Sequence, residues 1–228
     1  MKLSFFKSLQ FRMPLLVLAG IIPVISVASF YATESASKQI IEEEKENLAL
    51  KSQLLAENIQ NWNQSNVLAL LNLSKQPDVT SNIPNSRYKK ILSEIVDSYE
   101  HLYLAHTMNL QGWNIARSDE KTLKYYGDRN YFKEAIEGNK VNSETIISRT
   151  TKQPALCMST PTNNGGNIVG VTSICTDLKA LTEQVGRLQF GQTGYALLVD
   201  ENGDLLAHPD AELLSGDTLT NLKEYKPV

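Results

Sequence analysis

Between Met13 and Tyr31 the chain reads MPLLVLAGIIPVISVASFY, without one charged side chain. A helix of ~20 apolar residues matches the ~30 Å hydrocarbon core of a bilayer, because helical geometry satisfies every backbone polar group internally. Lys2, Lys7 and Arg12 precede the run, and Glu34 with Glu42, Glu43 and Glu44 follow it. By the positive-inside rule the basic end stays in the cytoplasm and everything after about residue 34 is exported. The competing reading is a cleaved signal peptide, with a basic start and Val27, Ala28 and Ser29 closing the apolar run. Against it, the run exceeds the usual ~7–15 residues, no clean A-x-A triplet follows, and Phe30 and Tyr31 sit where a peptidase needs small groups. The expectation is a cytoplasmic tail over 1–12 and a retained membrane helix over 13–32.

Beyond the bilayer the period stays helical. Ile41, Leu48, Leu55, Trp62 and Ala69 recur every seven residues, with Ile59 and Leu73 between them and no Gly or Pro before Pro77. This predicts a long stalk helix over 33–75 whose stripe needs a domain face or a partner helix. Ser52 and Asn66 interrupt the stripe, so the expectation is a homodimer contact near the membrane and domain packing further on. After Pro77, residues Tyr88, Ile91, Leu92, Ile95, Val96 and Tyr99 mark a second amphipathic helix.

The period then changes to strands. Tyr103–Met108 and Trp113–Arg117 flank Asn109-Leu-Gln-Gly112, a hairpin turn. The same pattern returns near the C-terminus, where Asn109–Asp119 lies over Asp200–Asp210 at a constant offset of 91. Shared turn chemistry between unrelated hairpins is the plain alternative, but a repeated unit at domain scale suggests two related sheet subdomains in tandem. Between the copies, Tyr131–Glu137 reads as a short helix ended by Gly138, and Thr145–Ser148 as a strand. Ala155–Thr160 and Ile168–Cys175 form a hairpin through Asn163-Asn-Gly-Gly166. Leu178–Leu188 returns to helix spacing. The fold class is α+β: a long N-terminal helix, then two antiparallel sheet subdomains in tandem.

Composition narrows the chemistry. The 228 residues carry a formal net charge of −3, so no basic field points to nucleic acid. His101, His106 and His208 lack metal-ligand spacing, and no P-loop, dinucleotide fingerprint or nucleophile elbow is present, so no cofactor and no metal are expected. Cys157 and Cys175 fall at near-facing positions on adjacent predicted strands. Export permits a disulfide between them, and buried free thiols are the alternative.

The segments Asp128-Arg-Asn-Tyr-Phe-Lys-Glu-Ala-Ile-Glu-Gly138, Lys152-Gln-Pro-Ala155, Asn167-Ile-Val-Gly-Val171 and Phe190–Pro209 together resemble the extracellular double Cache sensor domain of bacterial membrane receptors. The resemblance implies tandem PAS-like sheets: a membrane-distal ligand-binding subdomain over 76–187 and the start of a membrane-proximal one over 188–228, incomplete at Val228. It further implies a chemotaxis receptor, or alternatively the sensor region of a histidine kinase or cyclic-nucleotide enzyme, whose output module follows elsewhere. On this reading the chain is a fragment of a receptor and not itself an enzyme; an exported hydrolase or a purely structural dimer are the rivals.

Arg129 is the leading site residue, since its planar fork takes a carboxylate bidentately. In amino-acid-binding members of the family such an Arg, followed by two aromatics, grips the ligand carboxylate, which here selects Tyr131 and Phe132, with Tyr125 and Tyr126 upstream. The plain reading of Arg129 is a salt bridge at the helix start with Asp128 or Glu134, and that of the aromatics is core packing. The family's amine-binding Asp aligns with Cys175, which leaves Asp177, two residues on and on the same strand face, as the candidate acid. Trp113 is a further lining candidate. The expected ligand is an amino acid or another small carboxylate.

Overall fold

The computed structural model describes residues 9–191, 194–214, 216 and 218–224. Lys2 and Lys7 of the expected tail, Gln192 and Thr193 in the segment carrying the resemblance, and the last four residues lie outside the described residues. The chain divides into two units, residues 1–53 and 54–228.

The described residues of the first unit belong to one helix, α1 (Leu9–Ser74), whose apolar part is long enough to cross a membrane. Leu16, Val24 and Phe30 are each about two-thirds exposed. Pro14 and Pro23 lie inside the helix. Ser26 and Thr33 return their hydroxyls to the carbonyls of Ile22 and Ser29, which keeps these polar groups satisfied without water.

In the second unit the last turns of α1 are buried. Leu70 and Leu73 pack with Tyr88 and Leu92 of α3 (Ser86–Ser98) and with Ala105, Met158 and Ile174 from the sheet. Leu55, Ile59 and Trp62 pack against Leu178, Leu181 and Val185 around α5 (Lys179–Gly186). The seven-residue stripe from Leu55 onward is therefore a domain-packing face. Asn66, which interrupts that stripe, is fully buried, and its Oδ1 lies 2.7 Å from Nε2 of His101. A one-turn helix, α2 (Pro77–Thr80), follows, and the side chain of Asn85 accepts the Tyr88 N–H to start α3.

Five antiparallel strands form the main sheet: β1 (Leu102–Met108), β2 (Asn114–Arg117), β3 (Asn142–Ile147), β4 (Pro154–Asn164) and β5 (Asn167–Asp177), in the order β2-β1-β5-β4-β3. β4 and β5 run longer than their apolar cores because Asn164 pairs with Asn167 across Gly165-Gly166, both at positive φ as a two-residue hairpin turn needs. One sheet face meets α1 and α3. The other meets α4 (Asn130–Ile136), whose Tyr131, Phe132 and Ala135 pack on Leu104, Met108, Val171 and Cys175.

After α5 the chain forms β6 (Gln189–Phe190) with β7 (Gly194–Tyr195), then β8 (Leu198–Val199) with β9 (Leu205–Ala207). The 91-residue repeat is present in atomic detail. Asn109 N–H donates to Trp113 O at 2.9 Å and Asp200 N–H to Asp204 O at 3.0 Å. Side-chain oxygens of Asn109 and Asp200 each accept two backbone N–H groups inside the turn. Thr107 pairs with Ala116 as Leu198 pairs with Ala207, and both hairpins carry a register shift at the next residue. In each copy the chain then returns to the turn, with Tyr126 N–H donating to Gly112 O and Leu222 N–H to Gly203 O, both at 2.8 Å.

Gly112 and Gly203 sit at φ +84° and +85°. A Cβ on Gly112 would lie 2.4 Å from Gly127 Cα, and one on Gly203 would lie 3.0 Å from the nearest Lys223 atoms. Both Gly→Ala variants should lower stability through the left-handed conformation, by ~1 kcal/mol or more. Gly112→Ala should cost clearly more than Gly203→Ala, because only its clash is with nearby backbone too close to tolerate; thermal unfolding of the two variants measures the difference.

Candidate functional site

The face beneath α4 is built by strand alternation. Inward positions of β1 are Leu104, His106 and Met108; those of β4 and β5 include Cys157, Ser159, Val171, Ser173 and Cys175. The register aligns these into rows. Leu104, Cys175 and Cys157 form one row, and Met108, Val171 and Pro161 another. Between them runs a polar row with one residue from each strand: Arg117, His106, Ser173, Ser159 and Asn142. All five are buried, which makes each hydrogen bond in the row a matter of several kcal/mol if left unmade.

Most of the row is satisfied. Ser159 Oγ donates to Tyr131 O at 2.6 Å, Ser173 Oγ to Met158 O at 2.8 Å, and Asn142 Nδ2 to Asn139 O at 3.1 Å. The Arg117 guanidinium forks onto Asp119 at 2.8 and 2.7 Å and also reaches Asn114, Tyr126 and Thr150. Burial works against the Asp119 carboxylate, but the Arg117 hydrogen bonds outweigh it and hold its carboxyl below the usual range. The His106 ring packs at a tilt against Tyr126, with ring centroids 4.8 Å apart. Burial first, then the nearby Arg117 charge, push its imidazole down to about 3, so it is neutral at physiological pH.

Arg129 stands at the start of α4 in extended conformation and donates from Nη2 to Ile147 O at 3.1 Å. It makes no ion pair among the described residues: Asp128, its expected partner, is forked by Arg149 instead, which holds the Asp128 carboxyl low. Arg129 Nε is buried without a hydrogen-bond partner, and so are Tyr131 Oη and His106 Nε2. Burial pushes the Tyr131 phenol well up, with the Tyr126 hydroxyl adding to the rise and the Arg129 charge opposing it. Tyr103, whose hydroxyl donates to Ser148, is pushed up to about 12, chiefly by burial. Arg129 also lines an open cleft of about 480 Å³ with Glu144, Ile147, Ser148, Arg149 and Lys152. The side chain of Glu144 accepts the Tyr131 N–H, an anion at the first turn of α4.

Tyr126, Tyr131 and Phe132 therefore meet on this face, with Arg129 at its edge. Tyr125 and Trp113 do not join them. Their rings pair with each other at 5.4 Å and are 43% and 53% exposed, because the Gly112 turn holds both on the outside. Asp177 also lies elsewhere. Alternation puts it on the Cys175 face, but β5 ends there: its N–H donates to His101 O and its carboxylate takes the Lys179 N–H at the start of α5. It lines a separate cleft of about 350 Å³ with Glu100, His101, Lys179 and Glu183. Cys157 and Cys175 pair directly across β4 and β5, with Cα atoms 4.1 Å apart, and are joined by a disulfide. The position where the resemblance places an amine-binding acid thus holds a buried sulfur. Sequence reasoning missed His106, Ser159, Ser173 and Arg117, whose signal was a polar residue at an inward position of each apolar strand.

A helix-backed antiparallel sheet whose far face carries a buried polar row under a short helix defines a PAS-like α+β module. A match to the Cache domain family extends over residues 32–227, and the chain belongs to that family. It is 24% identical over 229 residues to the methyl-accepting chemotaxis protein PscA of Pseudomonas syringae, covering 97% of this chain and 35% of that protein. It is 26% identical over 212 residues to the methyl-accepting chemotaxis protein PctB of Pseudomonas aeruginosa, covering 90% of this chain and 33% of that protein. The chain thus spans about a third of the length of these relatives. Among solved structures, the ligand-binding domain of the P. aeruginosa amino acid chemoreceptor PctC in complex with GABA matches with TM-score 0.62 at 24% identity, over 75% of this chain and 77% of that one. The ligand-binding domain of PctB in complex with L-Gln matches with TM-score 0.62 at 21% identity, over 78% and 72%. At these identities the structural likeness is one of fold.

Two measurements test the buried face. His106 is neutral when folded and takes a proton when unfolded, so its contribution is full above about pH 6.5 and is lost as pH falls from there toward about 3. Thermal unfolding between pH 7 and pH 4 should therefore show a steeper loss for the native chain than for His106→Gln. The disulfide closes a sequence separation of 18, and removing it as Cys157→Ala with Cys175→Ala should cost about 3 kcal/mol in denaturant unfolding, through the freed unfolded chain.

Proposed function

We propose that this chain is the membrane-anchored, extracytoplasmic sensor region of a chemotaxis receptor, binding a small carboxylate at Arg129. The observation that carries the reading is an arginine without an anionic partner among the described residues, its Nε buried and unpaired within electrostatic reach of the equally unpaired hydroxyl of Tyr131. A bound carboxylate supplies the acceptors that both groups lack. Lys152 stands on the same cleft as a further cation toward an anion, while Arg149 is already paired with Asp128. The relatives being chemotaxis proteins, and PctC and PctB being amino acid chemoreceptors, supports both the sensing role and the size of the ligand.

On this reading residues 76–187 are the membrane-distal, ligand-binding subdomain and 188–228 the start of the membrane-proximal one. The apolar part of α1 anchors the chain, with its head outside the cytoplasm. Ile40, Ile41 and Leu50 are more than half exposed in the first unit, which supports a homodimer through the stalk. Ligand binding biases α1 only by its differential affinity for two arrangements, typically ~1–3 kcal/mol.

The test is a thermal-shift screen of the whole chain in detergent against amino acids and small organic acids. At least one acid should raise the midpoint, and Arg129→Ala should abolish that shift while keeping the native circular dichroism. A folded protein that no acid stabilises would sink the reading.

A further inference from the structure

His106 presents a donor whose proton position the surrounding bonds dictate. Asn114 Oδ1 faces two groups that can only donate, Arg117 Nη1–H and the Lys124 backbone N–H, each at 3.3 Å. The amide NH₂ of Asn114 is thereby turned the other way, toward Thr107 O at 3.4 Å and His106 Nδ1 at 2.7 Å. Nδ1 must then accept, and the single proton of the neutral imidazole sits on Nε2. That Nε2–H is fully buried and has no partner. It lies on the sheet face covered by Tyr126 and Tyr131, in the middle of the polar row.

We propose that His106 Nε2–H is a ligand-contacting donor, and that the ligand is a small carboxylate bearing a second oxygen acceptor: a hydroxyl, a carbonyl or another carboxylate. This rests on the sensor reading above, in which Arg129 takes the first carboxylate. Arg129 Nε–H and His106 Nε2–H can only donate, and the Tyr131 hydroxyl can donate as well. A monofunctional acid satisfies the arginine and leaves the histidine unmet. A ligand with an acceptor at each end satisfies both, and burial makes that second bond a strong selector, because a donor left unpaired retains its desolvation cost. The acid nearest in effect to His106, Asp119, is occupied by Arg117.

The probes are propionate, L-lactate, L-malate and succinate, titrated calorimetrically into the full chain in detergent. The native protein should bind L-lactate, L-malate or succinate more tightly than propionate. His106→Leu should weaken that acid by about tenfold or more and leave propionate unchanged. His106→Gln, which retains an N–H donor, should recover much of the loss. If the acids bind through Arg129 but His106→Leu changes none of them, the histidine assignment is overturned and the sensor reading stands. If no acid binds, and no amino acid stabilises the native chain, both fall. Histidine-selective ¹⁵N spectra of the native protein decide the matter even where His106→Leu does not fold. A proton on Nδ1, or an Nε2 resonance that a saturating acid fails to move, overturns the assignment.

Discussion

The buried guanidinium of Arg117 governs the order of this face. Its side chain is about 1% exposed, and five hydrogen bonds use the five N–H groups of the fork. A buried cation is tolerable only under such complete satisfaction, and losing its anion typically costs about 3–5 kcal/mol. The consequences spread outward from it. One bond orients the Asn114 amide, and through it the imidazole of His106. Another engages the Tyr126 hydroxyl, and a third ties the loop at Thr150. The next residue back, Arg149, forks Asp128 and sends Nη1 to Tyr125 O. Each of these two arginines is therefore neutralised by its own aspartate, and Arg129 is left without an anion among the described residues.

The two hairpins show that scaffold chemistry and site chemistry are separable. Turn, glycine, side-chain cap and register shift recur at an offset of 91 residues. What does not recur is the polar row. The positions equivalent to His106 and Arg117 are Leu197 and His208. Leu197 is partly exposed, and His208 packs its ring 4.9 Å from Tyr195 while accepting the Asp210 N–H. The shared features are those a tight hairpin needs for backbone reasons. The buried donors in the first copy serve no such need, which is the physical ground for treating them as functional.

Much of the fold was readable because local rules and tertiary structure agree. The α3 stripe, the Gly165-Gly166 hairpin and the Asx-Gly turns each have one dominant solution. That Arg129, Tyr131 and Phe132 come together was also readable, since a cation and two aromatics at the start of a short helix stand out in one window. The polar row was not, because its members lie on five strands and only the register aligns them. Asp177 shows a related limit: alternation fixes which way a strand residue points but not where the strand ends, and Asp177 lines a separate cleft. Asn66 shows the same limit on a helix, where a polar residue in an apolar stripe reads as a flaw until His101 arrives from another element.

The arrangement bears on how binding would reach α1. Neighbouring residues of β1 and β5 serve opposite masters. His106 and Ser173 face the polar row, while Ala105, Thr107 and Ile174 face the helices, Thr107 through a 2.7 Å bond with the Tyr88 hydroxyl. Leu70 and Leu73 of α1 pack on that second face. A displacement of these strands by a ligand is therefore felt by α1 across the thickness of one sheet. Undocking α1 would forfeit the burial of Leu70 and Leu73, about 2–5 kcal/mol for each side chain by analogy with truncation to Ala. A coupling free energy of ~1–3 kcal/mol is too small for that. On the proposed reading, the turns of α1 that carry Leu70 and Leu73 stay docked and move with the sheet, so the change passed on is a small shift or rotation of that packed segment.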